Sequence, residues 1–457
     1  MNIGKKDVAW SYISLAMVQG INIMLLPIIL KFLNSAELGL WYTFTSLYGL
    51  AMLIDFGFQT VIARNISYLW SGAKTVKKEG FDETDVKENG IHLGYFIKVL
   101  STVKFIYYVM GIIILTIFMT FGTLYLLQIT NGEIDLYEAL IAWFFYMLSI
   151  VLNVAFSFWN AILKGIGAIK VYNQILVITK VTQLILSILL LVVGYGIIGV
   201  SFAYLVSVIV NRILQSFNYY RFTNETKATR KKIKVKYDKE IFEAFLPNTV
   251  KTGILSLSNY LVINFPIILC SYFLSLNVSG QFGLINQIIT LILTLSNSYF
   301  NTYLSKFNYL RVRKQFDELH KLFTKSIVTN YIFNFIAFAL LLVFGNFALN
   351  LIGADYTLLP IGLMLIVIVY RFLYNNQILF TTFLTTKNKI PHYKQFLISA
   401  IITIVLQVVV LTFVESTLLY LIMPLLIIQL IFNNWYWVYY VIKDARGEKN
   451  EKAIINE

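Results

Sequence analysis

Twelve stretches of mostly apolar residues run through this 457-residue chain, each long enough to cross a lipid bilayer as a helix. The hydrocarbon core sets that length, since about 20 helical residues are needed to traverse it. The stretches are 10–33, 39–64, 98–128, 139–163, 172–193, 197–217, 244–273, 280–305, 326–350, 358–384, 395–414 and 418–442. A membrane β-strand needs only about 10 residues, so the pattern predicts helices. Composition agrees: 58% of residues are hydrophobic and 13% charged, against roughly 25% charged in soluble domains. The expected fold class is an all-α integral membrane protein, with twelve transmembrane helices in two six-helix bundles around a central cavity.

The connections between spans differ in charge. One alternating set comprises 1–9, 65–97, 164–171, 218–243, 306–325, 385–394 and 443–457, and it holds most of the 37 Lys and Arg. The opposite set comprises 34–38, 129–138, 194–196, 274–279, 351–357 and 415–417. It holds no Lys or Arg, but does hold Glu37, Glu133, Asp135, Glu138, Asp355 and Glu415. Basic loops stay in the cytoplasm, so both termini are expected there. The net charge of +14 is thereby accounted for by topology, and nucleic acid is not expected as a partner. Cys270 is the one cysteine, so no intrachain disulfide can form. Lys5 and Lys6 precede the first span without a small-residue cleavage site, and that span is expected to remain as an anchor.

The loops of the acidic set are all short, leaving little room for an external catalytic domain. His92, His320 and His392 fall in the basic loops, no His/Cys/carboxylate cluster has metal-ligand spacing, and no nucleophile sits beside a base. An enzyme is therefore not expected, and neither catalytic residues nor a bound metal or cofactor are assigned. The run Arg230-Lys231-Lys232-Ile233-Lys234-Val235-Lys236 lies near mid-chain. It suggests an N-terminal bundle over 1–217, a basic cytoplasmic linker over 218–243, a C-terminal bundle over 244–442 and a cytoplasmic tail over 443–457. Pro27-Ile28-Ile29-Leu30 in the first span is echoed by Pro266-Ile267-Ile268-Leu269 in the seventh. Leu163, Ile169, Tyr172, Gln174 and Leu176 line up with Leu384, Ile390, Tyr393, Gln395 and Leu397 at one fixed offset. Both matches fit an internal duplication in which two six-span halves share one orientation.

Several spans carry polar residues at helical spacing. The fourth has Tyr146, Ser149, Asn153, Ser157, Asn160 and Lys164, and the eighth has Asn286, Thr290, Thr294, Asn297 and Asn301. The seventh has Asn248, Lys251, Thr252 and Asn259, and the tenth Arg371, Tyr374, Asn375 and Thr382. Such stripes serve either helix–helix hydrogen bonding or a wet lumen suited to a bulky hydroxylated cargo. Lys31, Arg64, Lys98 and Arg212 lie toward span ends, where their heads can snorkel. Lys104, Lys180, Lys251 and Arg371 lie deeper. A cation near the bilayer centre costs at least about 2.5–3.5 kcal/mol, so these four point to an anion-binding cavity, or else to snorkelling and local pairing. Asp55 is the one clearly embedded carboxylate. It either pairs with another span or caps a helix, or it is the coupling site for a proton or sodium ion.

The segment Leu53-Ile54-Asp55-Phe56-Gly57-Phe58, followed by Ile62-Ala63-Arg64-Asn65, comes after Gly39-Leu40-Trp41-Tyr42 and before Ser71-Gly72-Ala73. This text resembles the Wzx-type polysaccharide flippases of the multidrug/oligosaccharidyl-lipid/polysaccharide exporter superfamily. The resemblance implies a multi-pass protein of the bacterial inner membrane. It would flip undecaprenyl-pyrophosphate-linked oligosaccharide repeat units to the outer leaflet, for O-antigen (lipopolysaccharide) or other surface-polysaccharide assembly. It implies a V-shaped pair of bundles with a cationic cavity, with membrane lipid and the polysaccharide polymerase machinery as partners. On that reading Lys104, Lys180, Lys251 and Arg371 receive the pyrophosphate, while Asn153, Asn259, Asn297 and Asn375 contact sugar. The alternative is a multidrug or metabolite/cation antiporter on the same fold. That branch typically uses an acidic residue in its first span, and 10–33 has none.

Overall fold

A computed structural model describes residues 5–70, 72–76, 91–130, 132–312, 315–351, 357–386 and 391–455. The side chains of Tyr12, Gln19, Asn22, Asn248, Lys251 and Thr252 lie outside the described residues. In lipid no water is at hand for a backbone N–H or C=O, so each must be paired within the segment. The chain meets that demand with helices throughout, and there is no strand among the described residues. Helices occupy each of the twelve expected spans. Ten are long and apolar enough to cross a membrane on their own, and eleven if one bent pair counts as a span.

The chain divides into two compact units, Met1–Ser256 and Leu257–Glu457. The first contains α1 (Lys5–Phe32), α2 (Ser35–Met52), α3 (Phe58–Trp70), α4 (Leu93–Ile117), α5 (Thr123–Thr130), α6 (Leu136–Ala155), α7 (Phe158–Gly165), α8 (Ile169–Val192), α9 (Gly196–Phe222) and the short α10 (Asn224–Ala228). The boundary falls within α11 (Lys239–Ile263). The second contains α12 (Phe265–Phe273), α13 (Leu276–Ser296), α14 (Ser298–Val312), α15 (Phe316–Leu351), α16 (Ile361–Thr385), α17 (Tyr393–Phe413), α18 (Leu418–Ile428) and α19 (Asn434–Ile455).

In the first unit α9 packs against α6 and α8, and α1 packs on α8. An aromatic ladder fills the middle: Phe44 stacks on Tyr146 at 5.1 Å between ring centroids, and Tyr146 on Tyr204 at 5.1 Å. In the second unit α16 packs against α18 and α19, with Phe323 and Phe383 stacked at 4.0 Å. Gly165 lets α7 cross α3 closely, since a Cβ there would meet Ile66 and the Ala63 carbonyl at 2.8 Å or less.

Several spans are broken, each for a local reason. Between α2 and α3 the chain turns through Phe56 (φ 46°) and Gly57 (φ 83°), bending the span by 44°. The Phe56 side chain there lies against α11 where Gly253 has none, and a Cβ at 253 would collide with the ring. Between α11 and α12, Pro266 has no N–H to give the preceding turn. Between α4 and α5, and between α18 and α19, the helix widens into single π turns at Phe118–Gly122 and Gln429–Asn433. In the expected linker, residues 233–238 form no helix and are tied to α4. The Lys234 N–H donates to Ser101 Oγ at 3.2 Å, and Lys98 pairs with Asp238 at 2.8 Å. That lysine holds the Asp238 carboxyl below the usual range.

Glu37, placed by its sequence in an external loop, is buried at 7% exposure. One carboxylate oxygen completes the capping box of α2 with Asn34, and the other accepts the Ile197 N–H of α9 at 3.1 Å. An acidic side chain at two helix N-termini is favourable on both counts.

His392, just before α17, is buried between Phe396 (4.7 Å) and Trp437 (5.6 Å), and its Nδ1 has no partner among the described residues. Burial pulls its pKa down from 6.5 to about 4. The unfolded state therefore binds the proton first as pH falls, and folded stability is lost between about pH 6.5 and 4. Thermal unfolding of purified protein across that range should show the decline. His392→Phe should flatten it.

Candidate functional site: a buried guanidinium in each unit

The first centre forms where α6 gives way to α7. Ser157 N–H bonds to the Val154 carbonyl at 3.0 Å instead of reaching back four residues, which frees the Asn153 carbonyl. Arg212 of α9 takes it, with Nη2 donating at 2.8 Å and also to Asn153 Oδ1. Its Nη1 donates to Gln215 Oε1 at 2.9 Å and to Asn160 Oδ1 at 3.2 Å. All these partners are neutral, and Nε has no partner among the described residues. Arg212 is 8% exposed, so its expected snorkelling is corrected. The guanidinium turns inward because a helix break offers it a carbonyl that lipid cannot satisfy. Sequence missed this residue as a site candidate. The signal available was its fit to the Asn153/Asn160 stripe of the fourth span.

Of the predicted residues in this unit, Asn153 also donates to Tyr48 Oη at 3.1 Å. Lys104 of α4 lies over the Tyr108 ring at 5.5 Å and lines a cavity of about 590 Å³ with Arg212. Lys180 of α8 does not line it; its ammonium donates to Gln183 Oε1 at 3.0 Å on its own helix. Asp55 accepts from Tyr107 Oη at 2.5 Å and caps α3 by accepting the Gln59 N–H at 3.2 Å. Its lone pairs thus stabilise the helix restart after the break, in the manner of an N-cap.

The second centre lies in the other unit. Arg371, 3% exposed on α16, donates from Nη2 to Thr290 Oγ1 of α13 at 2.8 Å. Its Nε and Nη1 have no partner among the described residues. One helical turn on, Asn375 anchors an amide chain. Asn297 donates to Asn375 Oδ1 at 2.7 Å, Asn330 to Asn297 Oδ1 at 2.8 Å, and Asn334 to Asn330 Oδ1 at 2.8 Å. Ser296 Oγ closes it by donating to Asn334 Oδ1 at 2.6 Å. Asn259 accepts from Tyr374 Oη. The structure therefore joins Asn297 with Asn375 directly, and places Asn259 one residue's reach away through Tyr374. Lys251, the remaining cation, has its side chain outside the described residues.

Each centre is a guanidinium held by amides and hydroxyls. Such a group can bind an anion electrostatically but offers no nucleophile or base. Among the described residues no group of three or more His, Cys, Asp or Glu could hold a metal ion.

The fold has solved counterparts. A transporter described as an inward-facing conformation of a multidrug resistance MATE family member of the MOP superfamily superposes with a TM-score of 0.70. It is 13% identical in sequence, over 98% of this chain and 99% of that one. An outward-facing conformation of such a transporter gives 0.57 at 14% identity, over 98% and 97% of the two chains. A MOP superfamily transporter from Pyrococcus furiosus, described as having a binding pocket of reverse polarity that suggests a different function, gives 0.52 at 13% identity over 98% and 97%. No family model matches the sequence, and no curated protein does. At these identities the likeness is one of fold.

Replacing Arg212 by Gln should strand the Asn153 carbonyl. Leaving a buried polar group unpaired costs about 1–3 kcal/mol, so the variant should unfold at lower temperature than wild type in detergent. Asn153→Ala keeps the backbone carbonyl paired and should cost less.

Proposed function

We propose that the protein is a flippase for undecaprenyl-pyrophosphate-linked oligosaccharide units, moving them from the inner to the outer leaflet of a bacterial cytoplasmic membrane. The observation that carries this reading is Arg371, buried in mid-span with two guanidinium nitrogens unpartnered among the described residues. A buried cation with only neutral company is costly. An anionic ligand that enters and leaves would offset that cost for part of each cycle. Arg212 and Lys180 repeat the pattern, each held by neutral partners. A pyrophosphate supplies the anion, and amides and tyrosine hydroxyls suit the hydroxyl groups of sugars. Such a cargo needs no covalent step. The membrane potential, worth about 2.3 kcal/mol per charge per 100 mV, drives an anionic head outward from a negative interior.

The multidrug transporters that share the fold supply the second reading, a multidrug or metabolite/cation antiporter. Asp55 would then be the coupling residue for a proton or sodium ion. Against it, the first span holds no acidic residue.

Deleting the gene in a strain with no redundant flippase separates the two. The flippase reading expects loss of surface polysaccharide and accumulation of repeat-unit-loaded polyprenyl lipid. Unchanged polymer and lipid intermediates would sink it and promote the antiporter. Arg371→Ala should lower flipping at least tenfold at unchanged membrane abundance, and Arg371→Lys should restore part of it.

A further inference from the structure

The cavity beside Arg212 is distinct in composition from the amide network around Arg371. Three cations line it, Lys104 from α4, Arg212 from α9 and Arg230 from the turn after α10, and no carboxylate does. Arg212 is nine-tenths buried and its hydrogen-bonding partners are neutral. Aromatic faces back the other two: Lys104 lies over Tyr108 at 5.5 Å and Arg230 over Tyr220 at 5.9 Å. Trp159 and Phe158 also line the cavity.

The same cavity has an apolar flank. Ile209, Ile213 and Phe217 line it at successive turns of α9, exposed by 38%, 61% and 49%. Residues four apart share one helix face. Eight residues of helix make an open apolar strip of about 12 Å that runs beside Arg212 and ends at Phe217. An adjoining cleft of about 950 Å³ shares Phe217, Tyr220 and Arg230, and adds Arg221, Lys227 and one carboxylate, Glu225. A cationic pocket bordered by an apolar strip, and joined at Phe217 to a polar cleft, matches an amphiphile.

We propose that this groove on the first unit binds a membrane lipid through its phosphate. Lys104, Arg212 and Arg230 hold the phosphate, the tail lies along Ile209, Ile213 and Phe217, and the rest of the headgroup enters the adjoining cleft. The site requires a phosphate-bearing lipid and nothing of the transported sugar. With an ordinary phospholipid the site stands apart from the flippase reading; with a polyprenyl carrier it deepens that reading and rests on it. The phosphate can come from an ordinary anionic phospholipid or from a polyprenyl phosphate, and the same chemistry recognises both.

Native mass spectrometry of the full chain, released from detergent, tests this with three probes: phosphatidylglycerol, a polyprenyl monophosphate, and phosphatidylcholine as the zwitterionic comparison. Wild type should retain at least one of the two anionic lipids fivefold or more over phosphatidylcholine. Lys104→Gln with Arg230→Gln should abolish that preference. Lys104 is half-buried and Arg230 exposed, so the double variant tests the site even if Arg212→Gln fails to fold. Loss of both anionic lipids assigns the groove to membrane phospholipid, with the polyprenyl phosphate as a mimic. Loss of the polyprenyl phosphate alone assigns it to the carrier lipid. Equal retention of all three lipids by wild type, or undiminished preference in the double variant, overturns the proposal. So does an equal loss in Lys231→Gln with Lys232→Gln, which removes the same charge outside the cavity.

Discussion

A carbonyl released inside an apolar span has to find a donor, and the Asn153 carbonyl finds Arg212. Much of the first unit follows from that bond. It fixes the angle at which α6 hands over to α7, brings α9 against both, and buries a positive charge. The Asp55 break is settled in the opposite sense, by a carboxylate that accepts the Gln59 N–H. Because lipid offers no substitute partner, each irregularity in a span dictates a particular polar side chain nearby. Polar residues therefore gather at the breaks.

The two units handle buried charge alike. Each carries an arginine on an interior helix face, ringed by amides and hydroxyls rather than by acids. A carboxylate partner would make a tight, permanent pair, and a second anion would then gain little by approaching. Neutral partners hold the guanidinium in place while leaving its charge available. The same logic separates Arg212, whose charge faces a cavity, from Lys98, whose charge is spent on Asp238.

The span positions were legible in the sequence because hydropathy reports the bilayer directly, through the length of each apolar run. The stripes of Asn153, Asn297 and Asn375 were legible as helix faces too. What they touch was not, since Asn297 meets Asn375 only after α13 and α16 are packed. Arg212 was misjudged because its distance from the span end was visible and the α6–α7 break was not. The partner of Glu37 was not legible, because loop length says nothing of the Ile197 N–H, far along the chain, that it accepts. Residues 233–238 read as part of a basic linker from charge alone, and their ties to Ser101 and Lys98 of α4 could not be read there.

Phe56, in left-handed backbone, rests its ring where Gly253 has no side chain. Two positions almost two hundred residues apart thus share one volume. Bulk gained at 253 has to be surrendered at 56, so the two codons are not free to drift separately. In diverging copies of this gene a larger residue at 253 should arrive together with a smaller one at 56, and the pair would mark the crossing of α11 over the break even where the surrounding apolar text has been rewritten.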